Sequence, residues 1–217
     1  MHKSVSAIVP VVEGDGEVEA VPVLIRKILR EQFGRHDIRV ASPKPAHGKG
    51  TLLRRLEDYL EYAIMMPECQ AVLVLIDADD DCAKELSFTL AHRARRMGLK
   101  ISVAIVCATR EYEAWFLASL ESIRGRPLKG RPGLSDSAHF SGPVEELTGV
   151  KEWLTQHMRP GRAYKETSDQ APLTEYIDLK QARARSRSFR RLCHALEELV
   201  QAMDKGYVVV TPQGVEK

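Results

Sequence analysis

The sequence has no apolar run near the roughly 18 residues that a membrane-spanning helix requires, and its four cysteines include no CxxC pair. The first absence argues against a transmembrane segment. The second argues against a structural zinc site or a disulfide framework, because scattered cysteines supply neither kind of spacing. We therefore expect reduced thiols in a cytoplasmic protein.

The N-terminal apolar segment lacks the small-residue cleavage site of a secretory signal peptide, so we expect no signal peptide. A large net charge is also missing, since the 217 residues carry a formal net charge of +2. The total charge therefore indicates no class of partner. The length suits one sizeable domain, or a domain with a small appendage.

Strand-like apolar runs alternate with segments of helical periodicity in the first half of the chain. Strands are predicted over residues 6–12, 38–41, 71–76 and 101–107, and helices over residues 17–33, 51–63, 83–97 and 111–123. This order predicts an α/β fold with a mainly parallel sheet flanked by helices.

The second half of the chain has a different organisation. A long loop is predicted over residues 124–142, helices over 143–158 and 179–203, a polar irregular segment over 159–170 and a last strand over 207–210. We expect residues 1–123 to form a core and residues 124–217 to form a mainly helical extension that packs on it, so that both parts make one structural unit.

Carboxylates follow three of the predicted strands, at the edge where open parallel sheets bind ligands. Carboxylates brought close together stay ionised only with a compensating cation, and Mg²⁺ prefers oxygen ligands. The sequence therefore predicts an acidic metal site formed by Glu13, Glu17, Asp77, Asp79 and Glu113. Asp15 is interpreted as a turn residue, and Asp80 and Asp81 as caps of the next helix.

Two basic segments, residues 159–165 and 180–191, are candidates for binding a phosphate backbone. The best-placed side chains are those of Arg162, Arg183, Arg187 and Arg190. Such clusters suit electrostatic binding that is independent of base sequence. A solvated helix face explains them equally well.

The acidic motifs resemble those of the Toprim domain, which topoisomerases, DnaG-type primases and OLD-family nucleases share. The first motif is Glu13-Gly14-Asp15-Gly16-Glu17 and the second is Asp77-Ala78-Asp79. Arg110-Glu111-Tyr112-Glu113 is similar to a third segment of the OLD-type branch, and Lys165 matches its later lysine. The chain resembles short prokaryotic Toprim-like proteins without their own ATPase domain.

This resemblance implies one or two Mg²⁺ or Mn²⁺ ions and a nuclease that hydrolyses phosphodiesters, with Glu13, Asp77, Asp79 and Lys165 as catalytic residues. It also implies a nucleic-acid substrate, DNA before RNA, and a role in phage defence or DNA repair. The segment His47-Gly48-Lys49-Gly50-Thr51 lacks the first glycine of a P-loop. Any ATPase partner is therefore a separate protein.

Three alternatives stay open at the level of sequence. The same site suits a primase-like nucleotidyl transfer. A non-catalytic subunit would use the Toprim-like surface to bind a partner protein or nucleic acid. A regulatory domain would bind phosphate and metal only, and a homodimer is compatible with each of these alternatives.

Overall fold

The computed structural model describes residues 6–213 of the chain. Residues 1–5 and 214–217 lie outside the described residues. They include the first residues of the N-terminal segment for which no signal peptide is expected, and the outer ends of the two predicted parts of the chain.

Six strands form one sheet: β1 (Ser6–Val12), β2 (Ile38–Val40), β3 (Lys44–Pro45), β4 (Cys69–Asp77), β5 (Ser102–Ala108) and β6 (Val210–Thr211). The strand order is β2-β1-β4-β5-β6, and β3 pairs with β1. All of these pairings are parallel. The predicted α/β class, with a parallel sheet flanked by helices, is confirmed.

The helices are α1 (Asp15–Phe33), α2 (Lys49–Arg54), α3 (Leu56–Ile64), α4 (Ala83–Arg96), α5 (Ala114–Ala118), α6 (Leu120–Ile123), α7 (Val150–His157), α8 (Glu166–Glu175), α9 (Leu179–Arg185) and α10 (Arg187–Lys205). None of the helices within residues 6–213 combines the length and the apolar character needed to cross a bilayer.

The sheet is buried on both faces, as the apolar runs in the middle of its central strands lead one to expect. In β4, Leu73 and Leu75 pack into one apolar layer, whereas Val72 and Val74 pack into the other. Helices α3 and α4 cover the second layer. This burial on two sides fixes the central strands, and with them the side chains that follow their carboxyl ends.

Helices from both predicted parts of the chain cover the first layer. Leu24 of α1, Leu154 of α7 and Leu196 of α10 belong to the same buried cluster as Ile8 and Leu73 of the sheet. Strand β6 also joins the sheet beside β5. Residues beyond 123 therefore complete the core that the first half begins.

The prediction of one helix over residues 179–203 is wrong, because Ser186 interrupts the helix and separates α9 from α10. Ser186 has an extended backbone (φ −119°, ψ 126°), and its hydroxyl accepts a hydrogen bond from the Phe189 N–H as the cap of α10. The same hydroxyl donates to Glu145 Oε1 at 2.8 Å. Satisfying these buried polar groups outweighs the continuous helical periodicity of the sequence.

Three further boundaries differ from prediction. The helix expected from residue 143 begins only at Val150, because Glu145 accepts a hydrogen bond from the Ser188 N–H at 2.7 Å and holds the earlier segment against α10. The segment expected to be irregular up to residue 170 enters α8 at Glu166. The last strand covers residues 210–211 rather than 207–210.

The helix predicted over residues 111–123 is replaced by a turn followed by the short helices α5 and α6. Arg110, just before the predicted helix, has a positive φ of 64°. The Tyr112 N–H, which would have no intrahelical partner in the first turn of a helix, donates to the Asp77 carboxylate at 2.9 Å. Ser119 has a non-helical backbone (φ −126°, ψ 27°) and separates α5 from α6.

Replacing Leu196 by Ala tests whether the two halves of the chain share one core. Leu196 is fully buried, so the change should lower the free energy of unfolding by about 2–5 kcal/mol. Urea unfolding followed by circular dichroism and by tryptophan fluorescence should show one coincident, shifted transition. The exposed neighbour Glu197→Ala is the control, and two separate transitions would contradict a shared core.

Candidate metal centre

The carboxyl ends of β1, β4 and β5 lie side by side and bring two of the predicted acidic residues, Glu13 and Asp77, together. Glu13 follows β1 directly, and its Oε2 accepts a hydrogen bond from the Asp77 N–H at 3.2 Å. Asp77 ends β4, and its Oδ1 accepts from the Tyr112 N–H in the turn after β5. These two bonds tie three neighbouring strand ends into one acidic edge.

Glu17 joins this edge from the first turn of α1. Its Oε2 accepts a hydrogen bond from the Gly14 N–H at 2.8 Å and so caps the helix. The side chain is buried, with the residue 5% exposed. Its second oxygen, Oε1, is buried and has no hydrogen-bond partner.

Glu113 is fully buried at the start of α5. Its Oε1 accepts hydrogen bonds from the Tyr164 hydroxyl at 2.8 Å and from Gln170 Nε2 at 3.1 Å. Its Oε2 is buried without a partner, like Glu17 Oε1. A buried carboxylate oxygen without a partner is costly, so both atoms are positions where a cation or a proton is favourable.

Gly16 allows α8 to approach α1 closely enough to supply Gln170. A Cβ atom at Gly16 would lie 2.6 Å from Gln170 Oε1 and 2.9 Å from Glu166 Cβ. Any larger residue would therefore push α8 away from α1. Gly16 of the first acidic motif therefore permits the packing contact that places Gln170, a hydrogen-bond donor to Glu113.

The environment of these carboxylates opposes their ionisation. Burial is the main reason why the pKa of Glu17 rises to about 8 and that of Glu113 to about 7. Burial, followed by the charges of Glu17, Glu113 and Glu13, raises the pKa of Asp77 well above its usual range. Burial also raises the pKa of Glu13. We call these four residues the acidic cluster.

Lys151 in α7 acts on the acidic cluster through its charge, as Lys49 does on Glu13. Burial disfavours its charge, but Glu113, Glu166 and Asp77 outweigh burial and raise the Lys151 pKa. Its Nζ lies 2.7 Å from Glu166 Oε1. The sequence offered no motif for this role, because tertiary packing alone brings α7 to the strand ends.

Lys165, the lysine predicted at the site, occupies the cap position before α8. Its side chain is exposed and makes no hydrogen bond or ion pair to the described residues. Its backbone N–H donates to Asp169 Oδ2 at 2.9 Å. The structure therefore does not bring the Lys165 amine to the acidic cluster.

Asp79 lies at the margin of the cluster. Its backbone has a positive φ of 51°, and its side chain is exposed and accepts a hydrogen bond from Lys49 Nζ at 3.0 Å. Lys49 also lies 2.9 Å from Asp81 Oδ2. The charge of Asp79 still contributes to the raised pKa of Glu13, but the Asp79 carboxylate accepts its hydrogen bond from Lys49.

The acidic residues interpreted as caps or turns have other partners. Asp80 pairs with Arg110 at 2.5 Å and Asp81 with Lys49, while Cys82 occupies the cap position of α4. The interpretation of Asp80 and Asp81 as caps is therefore wrong, because nearby cations take their carboxylates. Asp15 is the first residue of α1, with Oδ1 3.2 Å from His47 Nδ1.

The four predicted phosphate-binding arginines do not surround the acidic cluster. Arg162 is mostly buried and forms an ion pair with the fully buried Asp169. Arg183 donates to Gln32, and Arg190 donates to the Arg183 carbonyl. Arg187 is 82% exposed beside Glu145. Arg162 thus stabilises the loop before α8, whereas the other three lie on α9 and α10.

No group of three or more His, Cys, Asp or Glu side chains within residues 6–213 is already placed to hold a metal ion. The cluster is close enough for its charges to interact but is not in coordination geometry. A cation bound there would need side-chain rotation or water-mediated contacts.

The stability of the metal-free protein should fall as the pH rises from about 5 to about 8. Raised pKa values mean that the folded state binds more protons than the unfolded state in this range, so each proton lost costs up to about 1.4 kcal/mol per pH unit. Glu17→Gln stays neutral and should flatten this slope in thermal unfolding with EDTA. The exposed Glu61→Gln is the control, and an unchanged slope in Glu17→Gln would contradict the assignment.

Comparison with known proteins gives one structural and one family match. The C-terminal region of the Burkholderia pseudomallei OLD protein resembles this chain with a TM-score of 0.45 and 16% sequence identity, over 90% of this chain and 98% of that chain. No curated protein matches. A family model described as a domain of unknown function, DUF4276, matches residues 12–197. The chain therefore belongs to the DUF4276 family.

Proposed function

We propose that this protein is a divalent-metal-dependent phosphodiesterase that cleaves nucleic acid at the acidic cluster. The observation that carries the proposal is the pair of buried, unpartnered oxygens, Glu17 Oε1 and Glu113 Oε2, beside Asp77 and Glu13. A hard divalent cation such as Mg²⁺ or Mn²⁺ offers these oxygens the partner that the chain does not supply.

The chemistry of the donors fits such an ion. Mg²⁺ is often bound through one or two carboxylates, with water and a substrate phosphate as the other ligands. The acidic cluster can therefore bind such an ion without a preformed group of three protein ligands. An ion bound there would polarise a phosphodiester and lower the pKa of a bound water. Glu13, Glu17, Asp77 and Glu113 are its candidate ligands, with Asp79 at the margin.

The chain's own residues would orient the reacting groups. Backbone hydrogen bonds fix one oxygen each of Glu13, Glu17 and Asp77, and the second oxygen of Glu17 has no partner. Lys151, which is half-buried and feels the charges of Glu113 and Asp77, would offset negative charge that develops on a phosphate. We therefore assign to Lys151 the role that sequence resemblance gave to Lys165.

The Toprim and OLD resemblance of the motifs extends the proposal. On that basis we propose DNA before RNA as the substrate, a separate ATPase as a partner and a role in phage defence or DNA repair. The alternative is a non-catalytic Toprim-like subunit that binds a partner protein or nucleic acid. Metal binding does not distinguish the nuclease from the non-catalytic subunit, whereas cleavage does.

Asp77→Asn should abolish cleavage because it removes the carboxylate at the centre of the cluster and keeps its shape. We expect plasmid nicking in Mg²⁺ or Mn²⁺ to fall by at least about a hundredfold. The control is Asp204→Asn, an exposed residue that pairs with Arg35 at the opposite edge of the sheet. Undiminished nicking by Asp77→Asn would contradict the assignment, and wild-type metal binding without nicking would favour the non-catalytic subunit.

Lys151→Met tests through the melting temperature, without any measurement of activity, whether the acidic cluster requires a cation. In EDTA at pH 8 the variant should melt at a lower temperature, since Lys151 provides positive charge beside Glu113 and Asp77. Millimolar Mg²⁺ should restore part of this loss by binding the folded state. The exposed Lys100→Met is the control, and an equal loss with and without Mg²⁺ would contradict metal binding at the cluster.

A further inference from the structure

Residues 124–133 form a strongly basic segment to which the proposed function assigns no role. The sequence Arg-Gly-Arg-Pro-Leu-Lys-Gly-Arg-Pro-Gly contains four cations and no acidic residue. The side chains of Arg126, Lys129 and Arg131 are exposed. We call residues 126–131 the basic hairpin.

The backbone of the basic hairpin is well defined by its own contacts. Leu128 and Arg131 exchange two backbone hydrogen bonds of 2.8 and 3.0 Å. Lys129 and Gly130 between them have positive φ values of 48° and 78°, which are typical of a tight hairpin turn. The fully buried Leu128 anchors the turn in the core. The backbone that carries its cations is therefore fixed before any ligand arrives.

The basic hairpin borders the acidic cluster through two helices. Lys129 Nζ lies 3.7 Å from Oε2 of Glu19, which is two residues beyond Glu17 in α1. Arg131 lies 3.8 Å from Asp169 in α8, and the next residue, Gln170, donates to Glu113. A ligand on the hairpin would therefore lie beside the acidic cluster.

A groove of about 620 Å³ continues from the hairpin. The Arg126 guanidinium lies 5.8 Å from the centre of the Tyr176 ring, and the Tyr176 hydroxyl donates to the Pro127 carbonyl at 2.8 Å. The cationic residues that line the groove are Lys27, Arg126, Lys180 and Arg183.

The acidic residues of this groove are Glu31, Glu175 and Asp178. Glu31 lies 3.5 Å from Lys27 Nζ, and Asp178 accepts a hydrogen bond from the Gln181 N–H as the cap of α9. Within residues 6–213, none of the three carboxylates forms an ion pair with Arg126 or Lys180. The groove therefore keeps cationic groups that an anionic ligand can reach.

We propose that the basic hairpin and this groove form a track for the sugar-phosphate backbone of a nucleic acid leading to the acidic cluster. The track rests on the proposed function for its purpose, but nucleic-acid binding can be measured without cleavage. Cations that are spaced along a well-defined backbone suit the repeated phosphates of a nucleic acid. The Arg126–Tyr176 pair offers a flat surface on which a base can stack.

The surface chemistry favours nucleic acid over a lipid membrane or an acidic protein. Binding to a membrane or protein surface commonly adds large apolar side chains to the basic ones. The exposed large hydrophobic residues of the described chain are Tyr62, Met65, Tyr207 and Val208. None of them belongs to the basic hairpin or to the groove.

The test is the affinity for fluorescein-labelled 20-nucleotide DNA, single and double stranded, measured by fluorescence anisotropy in EDTA. The double variant Arg126→Gln/Lys129→Gln should weaken binding about tenfold at low salt and reduce the salt dependence by about two counterions. Arg126→Lys/Lys129→Arg keeps both charges and should stay within about twofold of wild type.

The matched control is Arg96→Gln/Lys100→Gln, which removes the same charge at exposed positions at and beyond the end of α4. Equal weakening by the two Gln variants, or none by the hairpin variant, would overturn the track. Binding of the hairpin to phosphatidylserine vesicles or to polyglutamate, with no effect on DNA affinity, would overturn it in favour of a membrane or protein partner. Loss of DNA affinity in a protein that never nicks would support the track and contradict the proposed function alone.

Discussion

The structure depends on one constraint: four carboxylates, two of them buried, share a sheet edge that does not supply hydrogen bonds to all of their oxygens. Glu13 and Asp77 are linked through backbone N–H groups of neighbouring strand ends. Glu17 and Glu113 each keep one buried oxygen without a partner. Such an edge is stable only if protons or cations compensate its charge, and this need connects the fold to the proposed chemistry.

The second half of the chain completes the site as well as the core. Tyr164 and Gln170 bind one oxygen of Glu113, and Lys151 supplies positive charge. The absence of a side chain at Gly16 lets α8 reach this position. The carboxylates therefore come from the first half of the chain, and part of their support comes from the second half, which shares the same core.

The carboxylates at strand ends could be predicted from sequence, because buried apolar strands mark their own ends and a parallel sheet aligns them. Asp79 shows the limit of that rule, since its positive φ and the nearby Lys49 direct its carboxylate elsewhere. Lys151 could not be predicted, because its place depends on how α7 packs. The break at Ser186 was also hidden, because the apolar periodicity continues across it while a buried hydrogen bond to Glu145 decides the backbone.

Anomalous diffraction from crystals soaked in Mn²⁺ tests the central claim most directly. The account predicts a manganese peak within ligand or water-bridged distance of Glu17 Oε1 and Glu113 Oε2, beside Asp77. A peak only among the exposed carboxylates of Asp79, Asp80 and Asp81, or no peak at saturating Mn²⁺ near neutral pH, would contradict it.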